Sequence, residues 1–145
     1  MSEFEEIDRE NIKNKRLAFV AAKDRWEAAK AEAASTPHNS REHLKAARLY
    51  FCAVVAEHEL RSAKEQADEL AATDDSWNEQ PHFQTYGEFY SAACKVETAW
   101  QSWELEHREE HLRAARIWLD KARGALVRLP RPRNTELPWP ESRTS

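Results

Sequence analysis

The sequence predicts an all-α protein, and three observations carry that expectation. A third of the 145 residues are charged, only two are glycine, and apolar residues recur at three- and four-residue spacing through long stretches free of Gly and Pro. Sandwiches, barrels and Gly-rich phosphate loops need turn glycines that this chain lacks, whereas helices need the periodicity that it has. The expected architecture is an antiparallel bundle of three long helices, or four if the third breaks near Glu106, in a single domain spanning 1–129. A Pro-rich extended tail, 130–145, follows it.

From Phe4 to Ala34 there is neither Gly nor Pro, and Ile12, Phe19, Trp26 and Ala33 recur every seven residues. This is the period of a helix presenting one stripe to a partner. The stretch Ser35-Thr36-Pro37-His38-Asn39-Ser40 supplies a breaker and then capping residues, so a tight turn is expected before a second helix over Ser40–Ala72. That helix carries Leu49, Ala53, Ala56, Leu60, Ala63, Ala67 and Leu70 on one line, and Leu44, Ala47, Phe51 and Val54 on another. Apolar on more than one face, its first half belongs at the centre of the bundle.

Turn-forming residues dominate Thr73 to Gln84, predicting a loop pinned by Trp77 and Phe83. Thr85 and Glu88 then have capping-box spacing, ahead of Phe89, Ala93, Val96, Trp100 and Trp103. Between Gly87 and Gly124 nothing forbids helix, yet the apolar stripe changes phase and continues as Leu105, Leu112, Ala115, Leu119, Ala122, Leu126 and Leu129. One helix from Tyr86 to Arg128, about 65 Å long, is the favoured reading. A break between Glu104 and Glu110 is the alternative. The tail holds four of the six prolines and is expected to be extended or irregular.

"EHLKAARLYF" at 42–51 returns as "EHLRAARIWL" at 110–119, an offset of 68 residues with six identities. A duplicated helical hairpin would leave such a trace and would place both copies in equivalent packing positions.

Several functional classes are disfavoured. The longest apolar run, Leu49–Ala56, is far short of the roughly 20 residues needed to span a bilayer, and the acidic N-terminus lacks the pattern of a secretory signal. A cytoplasmic setting is therefore expected, with Cys52 and Cys94 as reduced packing residues. The net charge of −4 shows no global bias toward nucleic acid.

His107 and His111, four apart beside Glu104 and Glu110, form the one cluster with metal-ligand spacing. The order His107-Arg108-Glu109-Glu110-His111 fits the inverted zincin pattern His-x-x-Glu-His. No second domain or sheet is expected to hold a substrate beside it. Glu104 and His107 also match the Glu-x-x-His of di-iron bundles, but the second copy, Glu79 with His82, falls in the expected loop. A solvated, ion-paired helix face accounts for the cluster, and no cofactor is expected. A metal-binding bundle or metal-dependent enzyme at Glu104, His107, Glu110 and His111 is the alternative.

Charge is unevenly spread. Glu65 to Cys94 holds seven acids and no Lys or Arg, whereas Arg113 to Arg133 holds seven bases against Asp120 alone. An acidic aromatic segment and a basic helix end suit docking on another protein. The basic end has no recognition motif, which disfavours direct nucleic-acid binding. The expected function is a non-catalytic protein-interaction module: an adaptor, dedicated chaperone, immunity protein or small inhibitor. Its candidate contact residues are Asp74, Asp75, Trp77, Phe83, Arg113, Arg116 and the Pro-flanked Trp139. Pairing of two copies along an exposed seam would make a homodimer.

Overall fold

In a computed structural model the described residues are 3–67, 82–132 and 135–140, with side chains from Glu6 onward. They form four helices and no strand: α1 (Glu3–Ala33), α2 (Arg41–Gln66), α3 (His82–Glu106) and α4 (Glu109–Val127). None of them is long and apolar enough to cross a membrane.

The heptad positions Ile12, Phe19, Trp26 and Ala33 are all buried, and they are the seam by which α1 lies on α2. Ser40 caps α2 by accepting from the backbone N–H of His43 at 3.4 Å, satisfying one of the amides a helix start leaves open. The ion pairs Lys15–Glu59 (3.3 Å) and Lys45–Glu32 (3.8 Å) set the two helices antiparallel. A second antiparallel hairpin is made by α3 and α4, closed at one end by Glu88–Arg128 (2.8 Å).

The hairpins meet through α2. Phe51 packs edge-on against Phe89 with centroids 5.5 Å apart, and His58 lies 4.1 Å from the ring of Tyr86. Arg48 places one guanidinium nitrogen 2.7 Å from both carboxylate oxygens of Glu97. Helix α1 touches neither α3 nor α4, so α2 is covered on two sides and is buried nearly all round, down to Glu57, His58 and Arg61.

The favoured continuous third helix does not form. The chain breaks after Glu106, where His107 takes a left-handed backbone (φ 55°) and donates its N–H to the Trp103 carbonyl at 2.6 Å. This is the αL stop by which helices commonly end, and it lets the apolar stripe change phase without leaving half of it in water. Helix α3 also begins earlier than expected, at His82, so Thr85 and Glu88 lie inside it and Glu88 pairs with Arg128 instead of closing a capping box. The part of the second helix expected beyond Ala67 lies outside the described residues.

The two similar segments occupy corresponding places, each opening the second helix of a hairpin. Leu44 and Phe51 in the first, and Leu112 and Leu119 in the second, are all buried. They differ at Leu49, buried, and Ile117, 57% exposed, because α1 covers that side of α2.

The tail folds back. Leu137 is buried against the α1–α2 hairpin, Tyr50 donates its hydroxyl to the Pro138 carbonyl at 2.5 Å, and Trp139 packs beside Trp26 and Tyr50. The buried Glu57 carboxylate accepts from the Thr135 hydroxyl (2.5 Å) and the Glu136 N–H (3.0 Å), while Arg61 pairs with it at 2.9 Å. A desolvated carboxylate is tolerated only when so satisfied.

Candidate partner-binding surface

Asp74, Asp75 and Trp77 lie outside the described residues. The other four candidates do not converge on one surface. Arg116 is half-buried and donates to the Asn39 carbonyl at 3.0 Å, tying α4 to the α1–α2 turn. Trp139 is half-buried on the first hairpin. Arg113 is exposed on the outer face of α4. Phe83 stands in the first turn of α3 with 64% of its surface exposed; the segment it was expected to pin lies outside the described residues.

Phe83 does border a groove of about 880 Å³ between α3 and α4. Buried Ala92 and Ala125 form its floor and Trp118 one wall, and Gly87 and Gly124 line it as well. The Trp118 ring is held between two ammonium groups, Lys95 at 4.0 Å and Lys121 at 4.4 Å from its centroid. Cations over an indole face are attracted by the ring's negative quadrupole and hold it in place. Arg128, paired with Glu88, closes the far end. The groove is therefore apolar in its floor and cationic along its rim.

Sequence reasoning missed Trp118, Lys121 and both glycines as parts of a surface. The signal was present: a chain with only two glycines places both inside helical stretches, where Gly is the poorest residue short of Pro.

The alternative cluster takes a form the helical spacing could not show. His107 and His111 lie on either side of the helix break, not on one face of one helix. His107 rests against Trp103 at 5.3 Å, Glu104 accepts from the Trp100 indole N–H, and the His111 ring lies 3.4 Å from Glu106. Arg108 reaches both Glu106 (3.6 Å) and Glu110 (3.3 Å). Among the described residues no three His, Cys, Asp or Glu side chains gather as a metal site would need.

Cys52 and Cys94 are free and line a second groove, between α2 and α3. Shelter from water, and next the Glu97 carboxylate, push the Cys52 thiol up, which keeps it protonated and a poor nucleophile at neutral pH.

Comparison with protein-family models, with curated proteins and with solved structures finds no match.

Proposed function

We propose that the chain is a non-catalytic protein-interaction module of the adaptor, dedicated chaperone, immunity-protein or small-inhibitor kind, acting in the cytoplasm. The observation that supports this most is the α3–α4 groove. It joins an exposed aromatic, Phe83, to an apolar floor and a cationic rim, and exposed apolar concavities of this size are where proteins bind one another. Ile117 and Arg113 extend the same side of α4. The free, surface-reaching thiols of Cys52 and Cys94 suit a reducing compartment.

Affinity purification of the tagged chain from the cells that make it, set against Phe83→Asp, tests the reading. Phe83 contributes nothing to the core, so the variant retains the fold. A partner held stoichiometrically by the parent chain and lost from the variant is expected. Absence of any retained protein, or turnover of a small molecule by the purified chain, would contradict it.

A further inference from the structure

The shape of the partner follows from the internal resemblance between α2 and α4. Carrying the 68-residue offset through both unbroken helices aligns Leu49, Ala53, Ala56 and Leu60 of α2 with Ile117, Lys121, Gly124 and Arg128 of α4. On α2 that stripe lies under a helix. Helix α1 is fixed on one flank of it by Lys15–Glu59 and Lys45–Glu32, and on the other by Trp26 against Tyr50 at 5.5 Å, and Leu49, Ala53 and Leu60 beneath are buried. On α4 none of the described helices lies over the corresponding stripe, and Ile117 is 57% exposed.

The glycines bear on the same face. Gly87 and Gly124 are the only two in the chain, they lie in the second turn of α3 and the last turn of α4 without a positive φ, and a Cβ built on either would meet nothing within 4 Å. Neither backbone geometry nor internal packing calls for them. What a missing Cβ at both positions does supply is room for another backbone to approach.

Charge then selects the occupant. Among the described residues that line the groove, Lys121 and Arg128 stand against a single carboxylate, Glu88, already engaged by Arg128, and Lys95 reaches over the Trp118 ring at its wall. A second copy of the chain docked face to face would set these cations against their equivalents. We propose that the groove seats an amphipathic helix of another protein, its apolar stripe against Gly87 and Gly124 between Phe83 and Trp118. Flanking Asp or Glu residues of that helix meet Lys95 and Lys121. This rests on the protein-binding reading and specifies its partner. Ile117 to Arg128 runs about 17 Å, so three turns of helix fill the site.

Three labelled peptides of about 18 residues and matched helicity test this by fluorescence anisotropy with the intact chain. One carries a Leu/Ala stripe flanked by Glu, one the same stripe flanked by Lys, and one Glu flanks with the stripe replaced by Gln. The Glu-flanked apolar peptide is expected to bind about tenfold or more tightly than either other. Gly124→Leu, which has room to fold, should weaken it by a similar factor, and Lys121→Glu should reverse the preference for Glu over Lys flanks. Gly124→Ala should raise the melting midpoint while weakening binding. Equal binding of all three peptides, preference for the Lys-flanked one, indifference to Gly124→Leu, or a concentration-dependent dimer that buries this groove would each overturn the proposal. If the natural partner is retained equally by the parent chain and by Gly124→Leu, this docking mode fails while the protein-binding reading stands; if neither retains a protein, that reading itself fails.

Discussion

Glu57 and Thr135, 78 residues apart in the chain, share a hydrogen bond of 2.5 Å inside the protein, and it fastens the Pro-rich tail to the central helix. The same carboxylate accepts the Glu136 N–H and pairs with Arg61, so α2 keeps a charged side chain in its interior because the tail and Arg61 satisfy it. Tail docking and the integrity of the α2 core are thereby one event.

Glu57→Gln should accordingly cost about 3 kcal/mol, the lower end of the range for removing one partner of a buried ion pair, since the buried Glu57–Arg61 pair would be broken. Urea denaturation measures the loss, and trypsin should cut after Arg128, just ahead of the tail, faster in the variant. Unchanged stability with unchanged cleavage would mean that the tail is held by Leu137 and Trp139 alone.

Tyr50 gives the tail a pH dependence. Burial first, and the Glu57 carboxylate second, push its phenol well above the ordinary value of 10.0, so the folded state favours the neutral form that donates to Pro138. A group whose folded pKa is raised contributes stability that is complete below its unfolded pKa and is lost as pH climbs. Stability should therefore decline as pH rises beyond 10.0, the unfolded value, and Tyr50→Phe should flatten that decline. An alkaline profile identical in the variant would assign it to other groups.

Arg48 and Glu97 join the two hairpins. Their contact, one guanidinium nitrogen against both carboxylate oxygens with Arg48 also 5.2 Å from the Trp100 ring, should appear in a double-mutant cycle as a coupling of about 1 kcal/mol, in keeping with a pair only partly shielded from water. Raising ionic strength should shrink it. No coupling would leave the hairpins joined by Phe51 and Phe89 alone.

His107 holds a conformation that favours glycine. His107→Gly should stabilise the protein by about 1 kcal/mol, because a Cβ in the left-handed region carries a cost of that size. A loss of stability in thermal unfolding would show that the His107 contact with Trp103 outweighs the backbone strain.

Much of the fold was legible because helix periodicity is local. The heptad from Ile12 to Ala33, the Ser40 cap and the doubled apolar faces of α2 could be read directly, and each is where spacing put it. The break at His107 was only one of two readings. No Gly or Pro marks it, and a left-handed histidine leaves no trace in composition. The early start of α3 was hidden for a related reason: Thr85 and Glu88 have capping spacing, but Glu88 finds a stronger partner 40 residues away in Arg128.

Of the candidate contact residues, Phe83 borders the groove and Arg113 is exposed on α4. Arg116 looked like a free cation, yet the fold sets it against the Asn39 carbonyl, and Trp139 looked like a docking peptide but rests half-buried on its own hairpin. The groove itself depends on which helices become neighbours. Gly87 and Gly124 are 37 positions apart in sequence, and only the antiparallel closure of α3 on α4 brings them to one groove.

Amide hydrogen exchange on the intact chain, alone and with the partner recovered from its own cells, tests the proposed mode of action most directly. Binding should slow exchange through the first turns of α3, around Phe83 to Ser91, and along α4 from Ile117 to Arg128, leaving α1 unchanged. Protection confined to α1 or to the tail, with α3 and α4 exchanging as before, would contradict it.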